Sequence, residues 1–119
     1  MTAEQKRKML EAAAKACGLI VIGYQGDGLL IASDGCRSGY LWEPIENALD
    51  TAEMCAKLDI NTFYYLSLPK VECSAEDAGD EQVIRYTSGY ENNPGEKLKA
   101  WMYAATMVAA KIGGYENDV

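Results

Sequence analysis

"LIVIGYQGDGLLIASDGCRSGYLW", residues 19–42, decides the fold class. Three apolar segments are separated by two Asp-Gly pairs, Asp27-Gly28 and Asp34-Gly35. Asp-Gly accepts the positive backbone angles of tight hairpin turns, so the stretch predicts three adjacent antiparallel strands, a β-meander over residues 19–42. GYQGDG, residues 23–28, has the glycines of a phosphate-cradling loop. Such a loop needs fingerprint spacing and a helix directly after it, whereas the strand-like LLIAS follows here.

Upstream, Thr2 and Gln5 have capping-box spacing, Met9, Ala13, Ala16 and Cys17 recur at helical intervals, and Gly18 offers a stop. These predict a helix over about 3–17 whose alanine-rich stripe lies close against a neighbouring element.

Downstream, "LWEPIENALDTAEMCAKLDI" (41–60) places Ile45, Ala48, Leu49, Ala52, Cys55 and Ala56 on one helical face. A helix over about 44–58 is expected, with Pro44 at its first position and Glu43, Glu46 and Asp50 at its positive end. INTFYYLSLP, residues 60–69, reads as a strand. VECS and QVIRYTSGY give two weaker strand segments on either side of AEDAGDE, residues 75–81, the candidate mobile loop. Asn93-Pro94-Gly95-Glu96 then opens a helix over about 94–112. Its stripe of Leu98, Trp101, Ala105, Val108, Ala109 and Ile112 makes it the expected principal cover of the sheet, and Tyr115 to Val119 reads as a frayed tail. The expected architecture is a single α+β domain over 1–119, in the order α-β-β-β-α-β-β-α with the strand count after residue 60 left open. Its sheet is mainly antiparallel, with helices packed on one face.

A chain of 119 residues with 49% hydrophobic and 24% charged residues suits one packed core. The opening MTAEQKRKML is too polar for a secretory signal, and no apolar run reaches the roughly 18 residues a membrane span requires, so a cytoplasmic location is expected. Histidine is absent, which removes the commonest general base, the commonest zinc ligand and every Ser-His or Cys-His nucleophile pair. Cys17, Cys36, Cys55 and Cys73 are too widely spaced for C-x-x-C motifs and read as reduced thiols, with no metal, cofactor or disulfide expected. The net charge is −7. Lys6, Arg7, Lys8 and Lys15 outnumber Glu4 and Glu11 in the opening helix, so the acidity belongs to the rest of the chain. Such a body repels phosphate backbones, which disfavours direct nucleic-acid binding and favours a protein partner with a basic surface.

Two acidic clusters stand out: Glu43, Glu46, Asp50 and Glu53 around the second helix, and Glu76, Asp77, Asp80 and Glu81 in one loop. The plain reading is solvated surface; a divalent-metal site or a catalytic carboxylate pair are the alternatives, and neither cluster has a calcium-loop pattern. Tyr24, Tyr40, Tyr64, Tyr65 and Tyr86 read as cover for a sheet edge or half-buried face, with an exposed aromatic patch as the alternative. Lys70 and Arg85 are simple charge partners of the acidic loop. The candidate interaction surface is therefore Glu43, Glu46, Asp50, Glu53, Tyr64, Tyr86, Asp77, Asp80 and Glu81. If Trp101 is core, Met102 or Tyr103 stands exposed and available for self-association, which keeps a homo-oligomer open.

Three pieces in order, "EAAAKACGL" (11–19), Trp42-x-Pro44 followed by "DTAEMCAKLDI" (50–60), and "NNPGEKLKAWMYAATMVAAKIGG" (92–114), carry a resemblance. The chain resembles a group of small proteins of unknown function encoded by tailed phages and prophages. Trp42, Pro44, Ala56-Lys57-Leu58, Pro94 and the Ala109 to Gly113 end match that pattern. Glu43 stands where asparagine is usual, Glu46-Asn47-Ala48 replaces an aspartate-glycine-aspartate stretch, and Lys97-Leu98-Lys99 departs from an alanine and arginine pattern. The resemblance implies a phage or prophage accessory gene and brings no catalytic residues with it. The expected function is that of a non-enzymatic protein acting through protein–protein contact, as a modulator of a host or defence factor. The alternative is a small-molecule binder, for a nucleotide or signal molecule, using an aromatic pocket between the sheet and the last helix. A carboxylate enzyme with a divalent metal comes third.

Overall fold

The computed structural model describes residues 2–32, 39–77 and 82–116. Its elements are α1 (Ala3–Ala16), β1 (Val21–Gln25), β2 (Gly28–Ile31), β3 (Tyr40–Trp42), α2 (Ala48–Leu58), β4 (Asn61–Tyr64), β5 (Lys70–Asp77), β6 (Gln82–Gly89) and α3 (Pro94–Ile112). The order is therefore α-β-β-β-α-β-β-β-α, one strand more than the expected order, and all pairing is antiparallel. The expected α+β class with helices packed on sheet holds. The strands form two three-stranded sheets, β1-β2-β3 and β4-β5-β6, where one sheet was expected.

The capping box at Thr2 is present: the Gln5 N–H donates to Thr2 Oγ1 at 3.1 Å and the Thr2 N–H to Gln5 Oε1 at 2.8 Å. The first hairpin turns one residue earlier than Asp27-Gly28 suggested. Gln25 pairs with Gly28, and Gly26 takes φ +60° as the first central residue, the position where a two-residue hairpin of the II′ kind requires glycine. The second pair, Asp34-Gly35, lies outside the described residues.

The second helix begins at Ala48, so the expected start at Pro44 is corrected. Asn47 in extended backbone is the N-cap, its side chain accepting from the N–H groups of Leu49 and Asp50 at 3.0 and 3.3 Å. Pro44 instead sits buried in a turn, where the Glu43 carbonyl accepts from the N–H groups of Glu46 and Asn47. The first-turn acid is Asp50; Glu43 lies before the cap.

Three further boundaries move. The strand expected over 60–69 ends at Tyr64, because residues 65–69 form the loop that returns the chain into β5. The loop expected over 75–81 starts later, since Ala75 faces inward in line with Val71 and Cys73 and pairs with Ile84, keeping β5 extended to Asp77. The last helix has its expected bounds and its expected place over a sheet, and it does more. Ala100, Met102 and every residue from Ala104 to Ala110 are buried, so α3 is the core of the molecule, packed on β5 and β6, on α1 and on α2. The burial of Met102 removes it from the surface proposed for self-association, and Tyr103 is half-buried with its ring 5.7 Å from that of Tyr86.

Alanine lets α1 and α3 approach closely. A Cβ built on Gly113 would lie 1.9 Å from the Ala12 carbonyl oxygen, so the end of α3 rests on the backbone of α1. The β1-β2-β3 sheet reaches this core through Leu29, Ile31 and Trp42, all buried, and its other face leaves Ile22 and Leu41 exposed. No helix among the described residues is long and apolar enough to cross a membrane.

Candidate functional site

The structure disperses the first acidic cluster. Asp50 turns back to accept the Glu43 N–H at 2.9 Å, and Glu43 lies over Gly28, whose missing side chain leaves room for it. Glu46 shares Lys6 with Asp27, at 3.7 and 3.6 Å. Glu53 is exposed at the rim of a cleft of about 190 Å³ that it lines with Cys17, Leu19, Tyr40, Trp42, Met54 and Lys57. Each acid of the cluster thus has its own surroundings. Asp80 and Glu81 lie outside the described residues, and Asp77 is described only as the backbone end of β5. No group of three or more Cys, Asp or Glu suited to a metal ion occurs among the described residues.

The tyrosines Tyr24, Tyr86 and Tyr64 fall in three different surroundings. Tyr24 is exposed at the edge of β1, where its hydroxyl donates to Glu11 at 2.7 Å and the Arg7 guanidinium lies 4.3 Å from its ring centre. Tyr86 is half-buried beneath α3, with the Lys111 ammonium 5.3 Å above its ring. Tyr64 belongs to a larger feature, a recess of about 340 Å³ lined by the end of β4, the loop 65–69, Tyr90, Asn92 and Lys97.

Local backbone bonds build that recess. Tyr65 N–H donates to the Lys70 carbonyl at 3.1 Å, closing the β4–β5 loop, and Tyr90 N–H donates to the Pro69 carbonyl at 2.9 Å, tying the chain after β6 to the same loop. Asn93 caps α3, accepting the Glu96 N–H at 2.9 Å, which fixes the first turn and sets the Lys97 ammonium 4.5 Å from the centre of the Tyr64 ring. Burial pushes the Tyr64 phenol above its ordinary value, with Cys73 and Tyr90 adding to the shift, so it remains an O–H donor at neutral pH.

The loop in front of this recess is apolar and faces solvent. Leu66 is fully exposed, Phe63 and Leu68 are exposed by half or more, and the Phe63 and Tyr65 rings meet edge to face at 5.3 Å. Reading "TFYYLSLP" as one strand hides this; Ser67 and Pro69 are the residues that mark a loop.

Cys17, Cys55 and Cys73 are free and buried. Burial pushes the Cys55 thiol up to about 12, with Cys73 and Cys17 nearby adding to it; Cys73 is also raised by burial, against a contact from Thr62 Oγ1 at 3.7 Å. A thiol with an ordinary value of 9.0 ionises in the unfolded chain before it does so in the fold. The stability it contributes is therefore complete below pH 9 and is lost as pH rises towards 12. The unfolding free energy read from urea denaturation should fall across that window, by up to about 1.4 kcal/mol per pH unit for each such group. Cys55→Ala should flatten the decline, leaving the part due to Cys17, Cys73, Tyr64 and Tyr103, which burial also raises. An equal slope in Cys55→Ala would refute the assignment to this thiol.

Compared with protein-family models, curated proteins and solved structures, the chain matches none.

Proposed function

We propose that this chain is a non-enzymatic interaction protein, a phage or prophage accessory factor that modulates a host or defence protein by binding it. The observation that carries the reading is the apolar set Phe63, Tyr65, Leu66 and Leu68 at the β4–β5 hairpin, presented to solvent on a backbone-tied loop. Aromatic and aliphatic residues held out in this way are what partner surfaces bury. The charge of −7 favours a partner with a basic surface, and the phage-like sequence pattern supports the biological setting.

The test is capture from host lysate at low salt with the immobilised chain. A captured protein should be lost at least tenfold from the Leu66→Ser, Leu68→Ser double variant, and its retention should weaken as salt is raised. Both leucines are exposed, so unchanged circular dichroism is expected for the variant. An empty capture, or one insensitive to the two substitutions, counts against the hairpin as the partner surface.

The alternative, a small-molecule binder, is favoured by one specific feature. The recess between the β4-β5-β6 sheet and the start of α3 is aromatic and of ligand size.

A further inference from the structure

We propose that the recess formed by Tyr64, Tyr90, Asn92, Ser67 and Lys97 is a binding site for a small aromatic anion of the nucleoside monophosphate class. This rests on the small-molecule reading and names its ligand class; Tyr65, Leu66 and Leu68 line the recess as well as the hairpin surface.

The argument begins with charge. The chain is acidic throughout its body, yet the lining of this recess contains no carboxylate and one cation, Lys97. Among the described residues no acid pairs with that ammonium: the α3 pair is Lys99 with Glu96, at 3.5 Å. Lys97 rests instead over the Tyr64 ring. Glu91 and Glu96 adjoin Tyr90, Asn92 and Lys97 in sequence, but neither lines the recess, so the one charge at its wall is the lysine. Its preference is for an anion.

The remaining lining sets the rest of the ligand. Tyr65 and Tyr90 add aromatic rings beside the Tyr64 face that Lys97 covers, and the tyrosine hydroxyls, Ser67 and Asn92 add donors. The Tyr64 phenol is protonated at neutral pH, so its hydroxyl can donate to an anion and does not repel it. Aromatic rings beside a cation suit a flat ring carrying a negative group, since stacking on tyrosine does not depend strongly on which base is present. A volume of about 340 Å³ lies at the lower end of small-ligand pockets, room for one nucleotide.

Calorimetric titration of the full chain with AMP, GMP and UMP, alongside adenosine and inorganic phosphate, decides the matter. At least one monophosphate should bind with one-to-one stoichiometry, at least tenfold more tightly than adenosine or phosphate alone. Lys97→Met should weaken it about tenfold without altering the melting temperature, because the side chain is exposed, and Tyr90→Leu should weaken it as well. No binding by any monophosphate at millimolar concentration would overturn the proposal, as would binding unchanged in Lys97→Met. The titration contains no partner protein, so failure of the hairpin reading leaves its outcome untouched.

Discussion

Gly113→Ala is expected to destabilise the protein by about 3 kcal/mol, the upper range for overpacking, because the added methyl has no room. Its position, 1.9 Å from the Ala12 carbonyl oxygen and 2.7 Å from the Ala12 carbonyl carbon, is occupied by the backbone of another helix, which cannot rotate away as a flexible side chain could. Relief requires α1 and α3 to separate, and that contact is lined by buried alanines on both helices, Ala13 and Ala14 on one and Ala109 and Ala110 on the other. Separation would open gaps along the whole seam. Backbone freedom is not the reason for this glycine, since its φ is −79°, an angle any residue adopts.

Gly114 makes the contrast. It takes φ +95° with nothing within 4 Å of a built Cβ, so Gly114→Ala should cost only about 1 kcal/mol, through backbone strain. Helix propensity alone predicts the opposite order, because alanine at the C-terminal end of α3 would extend the helix. Urea denaturation of the two variants separates the accounts: Gly113→Ala losing less than Gly114→Ala would mean that the helices can part cheaply.

Gly113 also shows where sequence reasoning stops. Gly113-Gly114 reads correctly as a helix stop, but one glycine ends the helix and the other admits a neighbour, and only the placement of Ala12 tells them apart. The outer helices were legible because their signals are local: Thr2 with Gln5, and Asn93 with Pro94, each lie within one turn of the helix they open. The start of α2 was misplaced because Pro44 satisfies the rule for a first helical residue, while the side chain of Asn47 captures two N–H groups and wins. The candidate surface fared according to range. Glu43, Glu46, Asp50 and Glu53 share a helix in sequence yet meet different partners in space. Tyr64, Tyr90 and Lys97 come together from three separate segments, through the Tyr90 to Pro69 bond and the Asn93 cap, and no periodicity announces it.

Trp42→Ala is expected to cost about 4 kcal/mol, within the range for removing a buried aromatic side chain from a core. Trp42 is 4% exposed and stands opposite Leu29 across the β2–β3 pairing. Its sheet has few other anchors: Leu29 and Ile31 are the buried large residues of the remaining two strands. The same residue leads into the turn that starts α2, where Asp50 holds the Glu43 N–H and the Thr51 hydroxyl donates to the Pro44 and Asn47 carbonyls. Loss of the indole should therefore loosen the β1-β2-β3 sheet first, with amide exchange accelerating in β1 to β3 well before β5 and β6, which α3 covers directly. Trp101→Ala should be milder, about 2 kcal/mol: that ring is half-buried and its Nε1–H donates to Thr62 Oγ1 at 3.0 Å near the surface. If exchange in Trp42→Ala rises uniformly over both sheets, the two are one cooperative unit and Trp42 is an ordinary core residue. If it rises in β1 to β3 alone, the Trp-x-Pro stretch is the hinge by which that sheet is fastened to the helical core.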